Sequence, residues 1–337
     1  MLAGFQHFPT HHCVTGSLRH IYVYNGLDLS EEMLLGLGAG VSFSYWHFTG
    51  QPPFIGGRGG MKPPLEEVTG RRTGVKVEMH TTSSVRKARQ ALLEMLDAGQ
   101  PVMIGCDMGF LPYFDFGGEE YHFGGHAVVV CGYDADRDQV LVADRDEQVH
   151  PVPMADLAQA RASTYKPFPP KNLWYTFDFG HKRPPAVDDV HQAILEMATV
   201  MLEPPIRNLG VKGIRKAAVE VARWPQKLSA DELRFALFNT YIFIAPEGGT
   251  GGGCFRYMLS RFLDEAADLA GEPGLAESAA EFRQVGDGWE ALGAWFRQAS
   301  EAPEPAAVVA EATPLFQALA DEEEAAWQRL REIVLAD

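Results

Sequence analysis

Residues 126–144, HAVVVCGYDADRDQVLVAD, constrain the fold more than any other stretch of the chain. Two apolar runs rich in β-branched residues flank a polar segment, which is the pattern of a β-hairpin. We place the loop at residues 133–137, centred on Ala135. With that register His126 and Asp144 lie directly opposite each other, with Cβ atoms ~4.5–5.5 Å apart. The stretch therefore predicts an antiparallel sheet that carries an imidazole–carboxylate pair.

The rest of the chain shows two different sequence patterns. Up to about residue 155, short apolar runs alternate with glycines, whereas beyond about residue 186 the pattern is helical. Early elements include a helix over 13–24, ended by Asn25-Gly26, and a loop over GQPPFIGGRGGMKPP, residues 50–64. We expect an α+β fold with two domains. The first domain spans residues 1–155. The second spans residues 156–337, is mainly helical, and completes or covers the cleft of the first.

Individual helices are predicted from caps and apolar periodicity. Ser30 is the N-cap of a short helix through Leu35. Ser229 and Glu232 form a capping box for a helix through Tyr241. Further helices are predicted at 190–202, 254–270, 275–299 and 305–334.

Cys13 follows two histidines and begins the first predicted helix. A packing residue, a metal ligand and a catalytic nucleophile all fit that position. A helix N-terminus and a nearby imidazolium both lower the pKa of a thiol. Thiol catalysis also needs a base and a group that orients the base. Cys13, His126 and Asp144 supply these three groups in chain order, so we favour the nucleophile.

A metal site is the alternative for the opening stretch, because imidazoles and thiolates are zinc ligands. The candidate ligands are His7, His11, His12 and Cys13. Three of them are consecutive, however, and consecutive side chains rarely converge on one ion. The sequence has no HExxH motif or second cluster to support them. We therefore expect neither a metal nor another cofactor.

Three stretches resemble a known family. HHCVTGSLRHIYVYNGLDLSEEMLLGLGAGVSFSY resembles the N-terminal domain of the butirosin biosynthesis protein H family. GGHAVVVCGYDADRDQVLVAD is similar to the His–Asp hairpin of that family and of the bacteriocin double-glycine leader peptidases, both of which are papain-like. GGTGGGCFRYMLSRFLDEAADLAG, residues 248–271, is similar to the helical domain that often follows. The resemblance implies a papain-like domain, with the nucleophile on a helix beside an antiparallel sheet, and then a mainly helical domain.

The resemblance also implies acyl transfer in antibiotic biosynthesis, a branch of specialised metabolism. The family protein moves an acyl group from a carrier-protein thioester to an aminoglycoside amine. By that resemblance Cys13 forms an enzyme thioester, His126 shuttles the proton and Asp144 orients His126. Papain-like enzymes place an oxyanion donor, usually Gln, a few residues before the cysteine. Here Gln6 and His7 are the candidates, seven and six residues before it.

Alternatives exist for two assignments: the carboxylate that orients His126, and the role of the glycine-rich stretch. Hairpin register favours Asp144 as the orienting residue over four neighbouring carboxylates, those of Asp134, Asp136, Asp138 and Asp146. In GGTGGGC, residues 248–254, the backbone of Gly251, Gly252 and Gly253, assisted by Arg256, would bind a phosphate such as that of a phosphopantetheine arm. The alternative is a tight turn that lets the next helix pack.

Charge and composition limit the partners. The net charge is −16, of which residues 257–337 carry −12, from 17 acidic and 5 basic residues. This excludes nucleic acid as an expected partner and favours a cationic acceptor. A basic cluster would dock an acidic carrier protein: Arg71, Arg72, Lys76, Arg86, Lys87 and Arg89. The chain has no apolar run long enough for a membrane span and no secretory signal. Four scattered cysteines favour a reducing cytoplasm.

Other functions use the same residues. The same triad would hydrolyse a peptide or amide if water replaced the amine, or cyclise a substrate with an internal nucleophile. A non-catalytic protein that binds a ligand or carrier in its cleft is a further alternative. The sequence leaves the oligomeric state open.

Overall fold

A computed structural model describes residues 1–48, 50–59, 62–118 and 121–336. It is an α+β structure with antiparallel sheets, as the sequence predicts. The helices are α1 (Cys13–Tyr24), α2 (Glu31–Leu37), α3 (Leu65–Thr73), α4 (Val85–Asp97), α5 (Met154–Ala162), α6 (Val187–Leu202), α7 (Gly210–Val221), α8 (Ala230–Ile244), α9 (Arg256–Ala270), α10 (Pro273–Glu301), α11 (Pro305–Val308) and α12 (Ala312–Ala336). The strands are β1 (Val41–Trp46), β2 (Phe54–Arg58), β3 (Lys76–His80), β4 (Val102–Cys106), β5 (His126–Asp134), β6 (Gln139–Ala143), β7 (Val149–Pro153) and β8 (Trp174–Asp178).

The residues group into two compact units. Met1–Leu34 and Gly70–Pro184 form the first, and Leu35–Thr69 and Pro185–Asp337 form the second. The boundaries of these units differ from the predicted division of the chain at residue 155. Residues 156–184 belong with the first unit because their strand, β8, pairs with β3 and β4. The β1–β2 ribbon belongs with the second, where β1 packs on α7 and β2 on α8.

A six-stranded antiparallel sheet organises the first unit, in the order β3-β8-β4-β5-β6-β7. Its central strands, β4 and β5, are buried along almost their whole length. Such strands read as continuous apolar runs, such as VMIGC and HAVVVC, because both faces are covered. The helix α1 packs on β5. The first residue of α1 is Cys13 and the first residue of β5 is His126, so this packing positions both.

The predicted bounds of α1 are confirmed. His12 precedes the helix in an extended conformation, with φ −117° and ψ 135°. At the other end the Asn25 side chain donates a hydrogen bond of 2.8 Å to the Ile21 carbonyl. Gly26 follows with φ 74°, a left-handed conformation that glycine adopts without strain. The Asn-Gly pair therefore ends the helix as expected.

The predicted register of the hairpin is wrong. Val129 pairs with Ala143 and Val130 with Val142, but beyond an irregularity in β5 Gly132 pairs with Leu141. The loop is accordingly residues 135–138, between Asp134 and Gln139, and not 133–137. The main error is the position of the loop, because Tyr133 pairs with Val140 and Asp134 with Gln139 on the turn side of the irregularity. The extra residue in β5 then shifts the remaining pairs by one.

The second unit is mostly helical. The Ser229 capping box is confirmed, since Ser229 Oγ accepts from the Glu232 N–H and Glu232 Oε2 accepts from the Ser229 N–H. The helix predicted over 305–334 is instead two helices, α11 and α12. The loop predicted over 50–64 is wrong at its centre, where β2 pairs with β1. Glycine is needed in that strand because a Cβ on Gly57 would lie 2.5 Å from Cys254 Sγ.

A buried ion pair joins helices of the second unit. Arg256 and Glu323 are both fully buried, with Nε of the arginine 2.6 Å from Oε1 of the glutamate. The indole N–H groups of Trp289 and Trp327 each donate 2.7 Å hydrogen bonds to the same carboxylate. The Arg256 guanidinium also donates to the carbonyls of Ser42 and Cys254. This network stabilises a charged pair that burial would otherwise disfavour, and it leaves Nη2 as the one guanidinium nitrogen of Arg256 without a partner among the described residues.

None of the helices in the described part of the chain combines the length and the apolar character needed to cross a membrane.

Removing the Glu323 carboxylate tests this network. Glu323→Ala leaves the Arg256 charge and two indole N–H groups unpaired, and breaking a buried ion pair typically costs about 3–5 kcal/mol. We expect urea unfolding to show a loss of that size. Glu322→Ala, one residue earlier and exposed, is the matched control, with an expected change within about 0.5 kcal/mol. Similar losses in both variants would contradict the role given to the network.

Candidate active site

The Cys13 thiol lies at the N-terminus of α1 and is partly exposed. Its sulfur is hydrogen-bonded to the His126 side chain and to the backbone of Ala127. The unpaired N–H groups of a helix's first turn favour negative charge. The thiol is therefore placed where a thiolate is stabilised by the helix, by an imidazole and by a backbone N–H.

His126 is buried at the start of β5, with 3% of its surface exposed. Its Nε2 donates to Asp144 Oδ2 over 2.7 Å. Since Asp144 engages Nε2, Nδ1 is the ring nitrogen left for the Cys13 thiol. Extending the observed pairing places Asp144 opposite Val128, one diagonal step from His126, and not directly opposite it. The pair forms nonetheless because a diagonal neighbour is within reach of a long side chain.

Asp144 is held by two further donors. The Tyr113 hydroxyl donates to Oδ2 over 2.9 Å, and the Arg145 N–H donates to Oδ1 over 2.8 Å. The Tyr113 ring stacks on His150, with ring centroids 4.0 Å apart. These contacts fix the carboxylate, which in turn fixes the His126 ring.

Other carboxylates considered for this position are bonded elsewhere. Asp134 accepts hydrogen bonds from two backbone N–H groups of the hairpin loop. Asp138 pairs with Arg89, and Asp146 pairs with His150. Asp136 is exposed in the loop. Of the carboxylates in the described residues, Asp144 is the one that forms an ion pair with His126.

The charges of the three groups support each other. Burial alone would raise the pKa of the Cys13 thiol, but His126, Arg145 and the Ala127 N–H lower it overall. Burial would lower the pKa of His126, but Asp144 and Cys13 raise it to about 9. Burial would raise the pKa of Asp144, but His126, Arg145 and Tyr113 lower it to about 2. These interactions therefore favour the charged form of each group, namely a thiolate, an imidazolium and a carboxylate.

Glu31 supports the segment before Cys13. Its buried carboxylate accepts hydrogen bonds of 2.8 and 2.7 Å from the N–H groups of His11 and His12, and one of 2.8 Å from the Thr15 hydroxyl. Burial raises the pKa of Glu31 despite these bonds. The carboxylate thus fixes the turn that leads into α1 and the direction of the cysteine.

Sequence reasoning missed Glu31 and Tyr113. An acidic residue in the first turn of a helix such as α2 is common and carries no sign of a distant contact. Tyr113 lies in the aromatic stretch FLPYFDF between β4 and β5. The aromatic content of that stretch indicates packing, but no spacing rule directs one hydroxyl to Asp144.

Two family descriptions match the chain. "Butirosin biosynthesis protein H, N-terminal" matches residues 12–145, and a domain of unknown function, DUF4872, matches residues 155–330. The chain belongs to the butirosin biosynthesis protein H-like family. The first match begins one residue before Cys13 and ends one residue after Asp144, so it spans all three groups described above. No curated protein matches the chain.

The two residues considered as oxyanion donors are placed differently. Gln6 is exposed and its side chain forms no hydrogen bond with any residue the structure describes. His7 Nε2 donates a hydrogen bond of 2.8 Å to the Asp146 carbonyl, and the His7 ring stacks on His20 with centroids 5.1 Å apart. An oxyanion role for either side chain stays a prediction, and for His7 it would require this contact to break.

The glycine-rich stretch is occupied by internal contacts. The Gly253 N–H donates to Glu290 Oε2 over 2.9 Å, and the Gly252 N–H donates to Thr250 Oγ1 over 3.0 Å. Gly251, like both of these glycines, has a positive φ. Arg256 is buried in its ion pair with Glu323. The stretch therefore matches the tight-turn alternative, since its charged side chain does not face solvent and a carboxylate already binds one of its N–H groups.

The histidines considered as metal ligands do not converge. Within the described ranges, no group of three or more His, Cys, Asp or Glu side chains is arranged to hold a metal ion. The stacking of His7 on His20 and the contact of Cys13 with His126 direct these side chains to different partners.

The lowered pKa of Cys13 is tested by alkylation with iodoacetamide across pH. An ordinary thiol, with a pKa near ~8.5, reacts slowly below pH 7 because it is protonated. We expect Cys13 to react well below that pH, and His126→Ala to move its midpoint upward. Peptide mapping identifies the labelled residue. Cys131 and Cys254 are internal controls, since burial raises their pKa to about 11 and 12. An ordinary Cys13 profile in both proteins would contradict the pairing.

The Tyr113 hydrogen bond is tested by Tyr113→Phe. Because Tyr113 lowers the pKa of Asp144, its loss raises that pKa toward the unfolded value. The ionised Asp144 stabilises the fold above pH ~4, the pKa of an unfolded aspartate. In the variant this contribution is smaller, and it is lost at a higher pH than in the wild type as acid is added. We expect a loss of about 1.5–3 kcal/mol at pH 7 and an acid-unfolding midpoint shifted upward, both measured by circular dichroism. Tyr133→Phe, which removes a similar bond to the exposed Asp138, should change little. Equal effects would count against a special role for Tyr113.

Proposed function

We propose that the chain is a cysteine-dependent acyltransferase of antibiotic biosynthesis, with Cys13, His126 and Asp144 as its catalytic triad. One observation carries the proposal. The Cys13 thiol is hydrogen-bonded to His126, whose Nε2 is 2.7 Å from Asp144 Oδ2. The pKa of Cys13 is lowered although burial opposes this. Family membership supports a biosynthetic role.

In the first step the Cys13 thiolate attacks the carbonyl carbon of an acyl thioester. The bond from that carbon to the donor sulfur breaks, and the donor thiol leaves with a proton from the His126 imidazolium. The product is an acyl thioester on Cys13 and a neutral imidazole. One thioester replaces another, so the acyl group must arrive already activated.

In the second step an amine attacks the Cys13 thioester. Neutral His126 accepts the proton that the amine loses, and the carbon–sulfur bond to Cys13 breaks. An amide leaves, and the thiolate–imidazolium pair is restored. In both steps the first-turn N–H groups of α1 are the donors we assign to the oxyanion, because they lie beside the sulfur and are unpaired within the helix.

We extend the proposal to a papain-like arrangement for the first unit. Its supports are a nucleophile at the start of a helix, a base at the start of a strand on which that helix packs, and a carboxylate that follows the next strand. The residues after about 186, mostly helical, would then form the second domain of the family.

We propose an acyl carrier protein as donor and a small-molecule amine as acceptor. The exposed face of α4 supplies Arg86 and Lys87 for an acidic carrier. Three members of the predicted cluster are already engaged or inaccessible. Arg89 pairs with Asp138, Lys76 pairs with Glu78, and Arg72 is buried. The docking surface is therefore smaller than the sequence suggests.

Intact-mass spectrometry tests the function. We expect acetyl- or butyryl-N-acetylcysteamine thioester, or a carrier protein loaded with either group, to add one acyl mass to the wild-type chain. Cys13→Ala should show no adduct, and His126→Ala should form it at least ~100-fold more slowly. Cys131→Ala, which removes a buried thiol, is the control and should behave as wild type. With the carrier-bound donor, added salt should slow acylation if Arg86 and Lys87 dock it.

The products separate the competing functions. Amide formation on addition of an aminoglycoside supports transfer. Release of the free acid alone would support a hydrolase, and ring closure of the acyl group a cyclase. No adduct from any of these donors would contradict an acyl-enzyme and leave a non-catalytic binding protein as the better description.

A further inference from the structure

Arg161, near the end of α5, is buried, with 2% of its surface exposed. Its Nη1 donates to the Ala88 carbonyl over 3.0 Å. Nε and Nη2 are also buried, and neither has a hydrogen-bond partner. These two nitrogens lie on the same edge of the guanidinium, where their N–H groups point in parallel. That edge is the one that binds carboxylates and other anions in a bidentate manner.

No carboxylate balances this charge. Among the residues that the structure describes, no Asp or Glu forms an ion pair with Arg161. Burial lowers the pKa of Arg161 to about 10. The one titratable group that opposes this lowering is the Cys106 thiol, when it is ionised. Burial raises the pKa of Cys106 itself well above its ordinary value, so this thiol is neutral at neutral pH. A buried cation without a counter-charge is strongly unfavourable.

The guanidinium lines a pocket between α4 and α5. The lining residues are Val85, Ala88, Arg89, Met154, Leu157, Ala158, Arg161 and Asn172. They include two arginines and, in this described lining, no acidic side chain. The pocket opens to solvent, and its interior has room for about one water-sized group, ≈ 10 Å³. That size suits a single small ion and excludes a carboxylate, a nucleotide or a larger cofactor.

The two other polar side chains in the lining define what can bind. Arg89 is already paired with Asp138, 3.0 Å away, so its charge is balanced. Asn172 Nδ2 donates to the Thr82 carbonyl, which leaves the buried Oδ1 without a partner. An amide oxygen accepts hydrogen bonds, so it cannot bind an anion. The free donors of the pocket therefore belong to Arg161.

We propose that this pocket binds a small monovalent anion, a halide, on the Nε–Nη2 edge of Arg161. The site lies where α5 connects to the sheet. The Ala160 carbonyl accepts from the Asp107 N–H, directly after β4, and the Arg161 carbonyl accepts from the Asn172 N–H. An anion bound here balances the buried charge and stabilises the end of α5.

Thermal unfolding tests the site. Chloride is titrated at constant ionic strength, maintained with a bulky sulfonate salt. Because a ligand that binds the folded state raises stability by mass action, we expect the Tm to rise by about 2–4 °C and then to saturate. Arg161→Met should abolish the saturating rise. Arg137→Met, in the exposed hairpin loop, is the control and should respond as wild type. No saturation in the wild type, or an unchanged response in Arg161→Met, would overturn the proposal.

A second measurement uses only the wild-type chain, so it holds even if Arg161→Met does not fold. Crystals soaked in bromide should show an anomalous peak within hydrogen-bond distance of Nε and Nη2 of Arg161. The peak should persist on adding acetate, and its loss would contradict the restriction of the site to halides. Density without anomalous signal at high bromide would mean that water alone fills the pocket and would overturn the anion site.

Discussion

The hydrogen bond between His126 Nε2 and Asp144 Oδ2 is the interaction on which the candidate site depends. It selects which ring nitrogen faces Cys13, and it supplies the negative charge that keeps a buried imidazole protonated. Without it, burial would favour a neutral ring, and the thiol would lose the positive charge that lowers its pKa. The lowered pKa of the thiol at the start of α1 is thus a consequence of a carboxylate that follows β6.

This pair is maintained by contacts from three separate segments. Tyr113 reaches Asp144 from the connection between β4 and β5, Glu31 fixes the turn before Cys13, and the packing of α1 on β5 brings the two halves together. Two of these supports, Tyr113 and Glu31, are polar groups that are hydrogen-bonded to their partners. Such groups specify one geometry because a displaced member would leave a donor or acceptor unpaired. The site is consequently rigid where chemistry requires a fixed distance.

Much of this could be predicted from sequence, where the signal was local. Asn25-Gly26 ends α1, and the apolar runs around a polar turn form the β5–β6 hairpin, because backbone geometry and alternation act over a few residues. The exact register could not be predicted, since the loop lies at residues 135–138 and an irregularity near Cys131 shifts the pairs beyond it by one. The strand over Phe54–Arg58 could not be predicted, because its glycines indicate a loop in sequence although tertiary packing requires them in the strand. Arg256 showed a charge beside a glycine-rich turn, but only the fold reveals that Glu323 neutralises it within the core.

The protonation state of His126 tests the account most directly. In ¹⁵N-labelled protein at pH 7, we expect both ring nitrogens of His126 to carry protons, because Asp144 and the Cys13 thiolate raise its pKa to about 9. In Cys13→Ala the pKa should fall, since one of the two negative partners is lost. A neutral ring at pH 7 that titrates near the ordinary value of ~6.5, with or without Cys13, would contradict the thiolate–imidazolium pair.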